Sequence, residues 1–356
     1  MIRKIDKKNK FVSMFNPDTG FYMRSGVIDE NGKDTGVDPF MTSFPELLDI
    51  GIMQTCVCSH RCNVDCYQKA IERTGKNMSI KDFESILKQS QGKLFQVALG
   101  GAGDVDTHEN FEEIVKLCRE YKIVPNFTTS GILMTEEKAE ICKKYCGAVA
   151  VSWYRSEYTI NAIKMLLDAG VKTNIHYVLG NNTIDEAIDR LHNDSFPHGI
   201  NAIVFLLHKP AGQGTQQNVL AVDDPKVAAF FAEVDNIHPY KVGLDSCNVP
   251  GAIRFCKHIL PQSLDTCEGA RFSCYIDSDM TLLPCSFDQK RQFAVQLKPM
   301  SIEDGWNSDT FERFRKQLKN SCPGCEHQDL CKGGCPLLPE IVFCNKEERK
   351  IFKEEK

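Results

Sequence analysis

Apolar positions between residues 47 and 209 follow two alternating patterns. Short, nearly continuous apolar runs recur: LLDIGIM (47–53), LFQVALGG (94–101), IVPNFTTSG (123–131), AVAVSW (148–153), VKTNIHYVLG (171–180) and NAIVFLLHK (201–209). Their length and apolar character on both faces predict strands buried on both sides. Between them, KDFESILKQS (81–90), NFEEIVKLCREY (110–121), TEEKAEICKKY (135–145), YTINAIKMLLDAG (158–170) and TIDEAIDRLHND (183–194) space their apolar residues as amphipathic helices do. Thr135 is placed to cap a helix start and Gly170 to stop one. Strand and helix alternate at least five times, which predicts parallel strands joined by crossover helices. That pattern suits a partial β/α barrel or a doubly wound sheet, and in both the chemistry sits at the carboxyl ends of the strands.

The flanks differ. Residues 1–44 read as an extension, with two alternating runs around Asn16–Gly20 predicting a hairpin and a turn-rich linker behind it. Residues 45–245 hold the alternating block. Residues 246–356 break the alternation and carry ten of the cysteines. There CYIDSDMTLLPC (274–285) predicts a hairpin and SCPGCEHQDLCKGGC (321–335) a loop. This third region is expected to lack a sizeable apolar core and to be held together by something else.

Composition narrows the classes. The chain has 356 residues, 42% hydrophobic and 26% charged, with a net charge of −5. That balance argues against a dominant nucleic-acid surface. No apolar run approaches the roughly 18 residues of a membrane span, and no basic segment leads into an apolar one. A soluble, cytoplasmic protein is expected, with solvated, frayed Lys-rich ends (MIRKIDKKNK and KEERKIFKEEK). Seventeen cysteines is far above average for a chain too large to need disulfide staples. Reduced thiols in such a protein point to metal, clusters or catalysis.

The cysteines form two groups. Cys56, Cys58, Cys62 and Cys66 lie in the loop after the first predicted strand. Cys267, Cys274, Cys285, Cys322, Cys325, Cys331, Cys335 and Cys344 lie in the third region. Cys118, Cys142, Cys146, Cys247 and Cys256 read as buried small apolar residues. Eight tail cysteines suffice for two iron–sulfur clusters or for two zinc sites, and ligand type alone does not separate these.

The first group carries a resemblance. A multi-cysteine loop after strand one of a β/α scaffold resembles the radical S-adenosylmethionine (SAM) superfamily, and the landmarks downstream fall in the same order. LGGAGDVDTHENF is similar to the GGE segment, with Ala102, Gly103 and Asp104 at the GGE positions and His108 and Phe111 continuing it. TTSG (128–131) and AVSW (150–153) resemble the ends of strands three and four. CEGARFSCYIDSDMTLLPCSF and CPGCEHQDLCKGGC resemble the SPASM extension of peptide-maturing members. The fold so implied is α/β, a partial (β/α)6 TIM-like barrel with a C-terminal cysteine-rich SPASM domain.

The resemblance implies three [4Fe-4S] clusters and SAM as cofactors. It assigns Cys62 and Cys66 to the SAM-binding cluster together with Cys58, the favoured third ligand, or with Cys56, whichever of the two is left being spare. The C-x3-C-x3-C spacing is one residue longer than usual, and Tyr67 follows the last cysteine instead of preceding it. Cys267, Cys274, Cys285 and Cys335 would hold one auxiliary cluster and Cys322, Cys325, Cys331 and Cys344 the other. Asp104, Gly103, Ser130, Ser152 and Tyr67 would line the SAM site. Ser286 stands where sulfatase-maturing relatives carry an Asp. The implied activity is reductive cleavage of SAM and hydrogen abstraction from a precursor peptide, with a flavodoxin or ferredoxin-type electron donor. Peptide recognition would fall to a separate protein or to the edge of the N-terminal hairpin. The rivals are radical chemistry on a small molecule, and an electron-transfer or zinc structural protein. His60, His108, His176 and His208 read mainly as surface, capping or core residues, and Asp277, Asp279 and Asp288 as turn residues. No catalytic residue is assigned.

Overall fold

A computed structural model describes residues 1–58, 61, 62 and 64–344, so His60 and the Lys-rich C-terminus lie outside the described residues. The N-terminal segment forms a three-stranded antiparallel sheet of β1 (Ile2–Asp6), β2 (Phe11–Phe15) and β3 (Tyr22–Arg24). The Lys-rich start is therefore not frayed: β1 pairs with β2 along its whole length, from Ile2 opposite Phe15 to Asp6 opposite Phe11. Alternation along β2 buries Phe11, Ser13 and Phe15, as expected of a half-buried strand. Phe15 stacks on Phe95 at 5.4 Å, forming a small core of its own with Val124 and Tyr22. The Lys172 ammonium donates to the Thr19 carbonyl at 2.6 Å, seating the hairpin turn against the starts of the main strands.

The alternating block folds as a parallel sheet of β4 (Leu47–Met53), β5 (Gln96–Gly101), β6 (Val124–Thr129), β7 (Ala148–Ser152), β8 (Thr173–Leu179), β9 (Ala202–Leu207) and β10 (Lys241–Leu244), side by side in chain order. Helices α1 (Ile80–Ser90), α2 (Phe111–Glu120), α3 (Glu136–Tyr145), α4 (Glu157–Asp168), α5 (Ile184–His192) and α6 (Pro225–Val234) cross over between them. Each helix turns an apolar stripe to the sheet; α2 buries Phe111, Ile114, Val115 and Cys118. Thr135 caps α3 by accepting from the Lys138 amide at 3.3 Å. The six strands read from sequence are present, and β10 and α6 add a further unit. β10 escapes the hydrophobic pattern because it is four residues long and contains a lysine and a glycine.

The third region departs from expectation. Beyond α7 (Val249–Phe255), strands β11 (Ser273–Ile276), β12 (Thr281–Leu283) and β13 (Val295–Gln296) extend the main sheet outward from β4. β11 pairs parallel to β4, with Cys274 opposite Leu48 and Tyr275 opposite Asp49. Helices α8 (Ile302–Trp306) and α9 (Asp309–Lys319) cover this extension, and α10 (Gln328–Cys331) is one short turn. Trp306, Phe311 and Phe314 are fully buried with Leu282 and Phe293, so the region has the apolar core it was expected to lack. Arg315 reinforces it, donating to the carbonyls of Ala270 and Trp306 at 2.7 Å each.

The hairpin's weight can be measured. Phe15→Ala should cost about 3 kcal/mol, the low end for an aromatic removed from a packed core, read as a fall in the denaturant midpoint. An unchanged midpoint would show that the hairpin lends the barrel no stability.

Candidate functional site at the mouth of the barrel

The carboxyl ends of the parallel strands open onto a cavity of about 920 Å³ that reaches down to the strand starts. Cys56, Cys58, Cys62 and Cys66 line its mouth. The amides of Arg61 and Cys62 donate to the Cys58 carbonyl at 2.9 and 3.1 Å, which ties Cys62 back to Cys58. The Gln213 amide holds the loop's end through the Cys66 carbonyl at 3.0 Å. The turn after β5 presses against this loop and needs glycine to do so. Gly101 has φ +120°, and a Cβ on Gly103 would lie 2.5 Å from the Thr55 carbonyl oxygen.

Burial, with Asp104 adding to it, pushes the Cys58 thiol up to about 11 and the Cys62 thiol to about 12. Asp104 accepts from the Ser130 amide at 2.7 Å and from the Ser130 hydroxyl. Its carboxyl is raised to about 6, by burial first and by neighbouring Asp106 second. Asp106 has its own cation, Lys138 at 3.0 Å. Among the described residues no basic side chain is bonded to Asp104, which borders the cavity; Lys138, paired with Asp106, acts on it only from farther off.

The other predicted residues divide. Gly103 and Ser130 line the cavity. Ser152 ends β7, half-buried and off the cavity lining, while Tyr154 two residues on lines the cavity. Tyr67 borders the cavity, yet its ring stacks on Phe287 of the third region at 4.5 Å. His176 and His208 both line the cavity. His176 meets the Thr128 hydroxyl at 3.2 Å, and burial lowers it to about 4, so it is neutral near pH 7. His208 Nε2 bonds to the Thr215 carbonyl at 3.0 Å. His108 is buried, accepting from the Asn110 amide at 3.0 Å and bonded through Nε2 to the Met78 carbonyl at 3.1 Å. Asp277 pairs with Arg73 and Arg291, Asp279 accepts from the Thr281 amide, and Asp288 accepts from the amides of Gln292 and Phe293.

The sequence reading passed over Asp49. It is a lone carboxylate in the apolar strand LLDIGIM, and that anomaly was its signal. It faces the cavity beneath the cysteine loop, and burial raises it to about 7.

The tail thiols gather in two places. Cys331 is pushed up to about 11 by burial, with Cys322, Cys344 and Cys325 adding to it, so these four share one neighbourhood. Cys267 feels Cys285, and both sit beside the cavity end of the third region. Cys335 neighbours Cys247, a residue the sequence reading left in the background. The structure does not bring Cys274 to this second group. Among the described residues no three His, Cys, Asp or Glu side chains close to single-ion distance, so the fit to a cluster rests on which thiols share a pocket.

A family model for the SPASM domain, an iron–sulfur cluster-binding domain, matches residues 267–327. The mycofactocin maturase MftC of Mycolicibacterium smegmatis is 23% identical over 352 residues, spanning 85% of this chain and 83% of the relative. Its Mycobacterium tuberculosis counterpart is 23% identical over 84% of this chain and 82% of its own. In structure, SuiB of Streptococcus suis bound to SAM superposes with a TM-score of 0.63 at 19% identity, covering 85% of this chain and 77% of SuiB. The chain shares the fold of that structure and carries a SPASM segment in its tail. A solved structure of anSMEcpe with bound SAM and a peptide superposes with a TM-score of 0.60 at 16% identity, over 82% of this chain and 89% of that one. In a radical SAM barrel the carboxyl ends of the strands are the working end. That is where this chain gathers Cys56–Cys66, Asp104, Ser130 and Tyr154. Among the described residues no helix is long and apolar enough to cross a membrane.

Asp49 yields a stability test. The folded protein holds its proton up to about 7, whereas an unfolded chain releases it near 4. Raising the pH between these values therefore costs the fold stability at this residue. Asp49→Asn should be more stable than the parent at pH 8, with the difference shrinking toward pH 5. Equal denaturation midpoints at both pH values would show that Asp49 is not strained by burial.

Proposed function

We propose that this protein is a radical SAM/SPASM iron–sulfur enzyme that modifies a peptide. The carrying observation is the meeting of three loop thiols, Cys58, Cys62 and Cys66, with the buried Asp104 carboxylate at the mouth of one deep cavity. The residues fit the expected groups. Three thiols on a tight loop suit a cluster with one iron left open. A buried carboxylate with no basic side chain bonded to it suits an ammonium group. With SAM on that iron, the bound group supplies a 5′-deoxyadenosyl radical able to take hydrogen from an unactivated C–H bond.

The chain's own residues do the rest. Cys58, Cys62 and Cys66 would hold the cluster, the first two tied by the hydrogen bond from the Cys62 amide to the Cys58 carbonyl. Asp104, fixed by both the amide and the hydroxyl of Ser130, orients the SAM amine. Gly101 and Gly103 let backbone approach closely. Tyr154 takes the place assigned to Ser152 at the end of β7, and Tyr67 with Phe287 forms an aromatic wall joining barrel to tail. Cys322, Cys325, Cys331 and Cys344 hold one auxiliary cluster. Cys267, Cys285 and Cys335 contribute to the other, for three clusters in all.

Support for a peptide substrate comes from the relatives: MftC is named a maturase, and SuiB has been solved with its precursor peptide SuiA. A flavodoxin or ferredoxin-type protein would donate the electron, and a separate protein would present the peptide. The hairpin is a poor candidate for deletion in testing that last role, because its Phe15 and turn form the floor of the cavity.

Anaerobic reconstitution of the full chain, with SAM and a strong reductant, should give about twelve irons per chain and release 5′-deoxyadenosine. Zinc without SAM cleavage would overturn the proposal in favour of a structural protein. A second outcome isolates Asp104. SAM affinity should hold steady above pH 6 and fall below it as the carboxylate takes up a proton. Asp104→Asn should weaken SAM binding about tenfold or more, equal to at least about 1.4 kcal/mol, and flatten the pH dependence. Binding by the variant that still falls below pH 6 would assign the titration elsewhere.

A further inference from the structure

The second tail group contains three of its four expected cysteines, and the structure offers a different residue as the fourth. Side chains alternate across a strand. On β11, Tyr275 lies opposite Asp49, on the side of the sheet that faces the cavity, and its hydroxyl would lie 2.0 Å from a Cβ on Gly51. Cys274, the preceding residue, therefore points to the other side. There it is 2% exposed, packed in the apolar core under α9 with Arg315 nearby, and no other thiol acts on it.

Cys247 sits on the opposite flank of the same space. It occupies a single 3-10 turn, Ser246–Asn248, directly after β10. Asp245 fixes that turn: its carboxylate accepts from the Asn248 amide at 3.2 Å, the Asn248 side chain at 2.8 Å, the Leu207 amide at 3.2 Å and the Lys209 ammonium at 2.8 Å. The Cys247 thiol neighbours Cys335, and it is close enough to Cys267 and Cys285 to act on the charge of both. Cys247 is thus the one thiol that the other three have in common. It lies 20 residues before the start of the matched SPASM segment, at 267.

We propose that Cys247, at the carboxyl end of the last barrel strand, is the fourth ligand of the auxiliary cluster held by Cys267, Cys285 and Cys335, and that Cys274 is a core residue. The proposal rests on the iron–sulfur reading above and changes what that cluster does. With Cys274 as ligand the cluster would belong wholly to the tail. With Cys247 it ties β10 to the tail, closing the open edge of the barrel beside Lys209 and Phe287, both of which line the cavity. Lys209, paired with Asp245, also places a buried positive charge within reach of Cys247, Cys335 and Cys285, where thiolates would gather.

The test is anaerobic reconstitution of the wild type, Cys247→Ala and Cys274→Ala full-length chains, with iron and sulfide counted and electron paramagnetic resonance spectra recorded. Wild type and Cys274→Ala should both hold about twelve irons. Cys247→Ala should fall to about eight, or show the signal of an oxidised three-iron cluster. The irons it retains report that its other two sites have folded. Loss of a cluster from Cys274→Ala, or full iron with unchanged spectra in Cys247→Ala, would overturn the assignment. Should Cys247→Ala fail to fold, the spectra of Cys274→Ala still decide, since replacing a ligand changes the signal of the cluster it held even where the irons are kept. A wild type that takes up no iron would instead overturn the underlying reading.

Discussion

A thiolate buried beside other thiolates and a carboxylate is unstable unless a cation shares the site. The rest of this structure depends on that constraint. Cys58 and Cys62 lie within reach of each other, of Cys56 and of Asp104, and Asp104 in turn lies beside Asp106. The tail repeats the arrangement in two further groups. A protein that merely packed these cysteines as small apolar residues would gain nothing by adding carboxylates around them. A metal centre inverts the balance, because its positive charge deprotonates the thiols it binds. Binding energy of that kind is also folding energy, which ties the order of the cysteine loop and of residues 321–344 to the groups they hold.

β4 is the strand on which these sites converge. On one side it pairs with β5, whose final turn carries Gly101, Gly103 and Asp104 against the cysteine loop. On the other it pairs with β11, which begins the tail hairpin. The tail is thus a continuation of the barrel sheet, and its Ser286 and Phe287 reach the same cavity as the loop cysteines. Charge pairs lock the join: Arg73, just after the loop, bonds Asp277 in the hairpin turn at 3.0 Å, and Arg24 of the N-terminal sheet pairs with Glu268 at 3.3 Å. Asp277 and Arg24 are the buried members of these pairs, and a pair with a buried member is hardest to break by removing its partner.

The parallel block was legible because both of its periods are strong: strands apolar on both faces, helices with one clean stripe. β1 was hidden by its lysines, which an edge strand tolerates on its exposed side. α9 was hidden by context. DTFERFRKQLK spaces Phe311, Phe314 and Leu318 at helical intervals, yet the cysteines around it drew the segment into a class of coreless loops. Spacing placed the loop cysteines and Asp104 together, but it could not say which way a strand residue points. Cys274 and Tyr275 are adjacent in sequence and on opposite sides of a sheet. Cys247 and Cys335 are 88 positions apart and neighbours in space. Tyr154 displaced Ser152 for a related reason, since it lines the cavity two residues past the strand end that the motif had marked.

The shape of the cavity limits how a substrate can reach the reacting end. Its floor is closed by Phe15, Pro17, Thr19 and Gly20 of the hairpin, held down through Lys172. A substrate entering at the strand ends, where Cys56, Cys58, Cys62, Cys66, Ser286 and Phe287 border the cavity, comes down onto that floor. The wall it meets is polar in patches, with Asn126, Asn174 and Asn201 along the strand starts and Asp49 above them on β4. Amide side chains in such places suit hydrogen bonds to peptide backbone, and a carboxyl raised to about 7 can release or take up a proton near neutrality. Asp49 borders the cavity and also acts on the charge of Cys285, so the strand that joins barrel to tail carries a proton-exchanging group beside both.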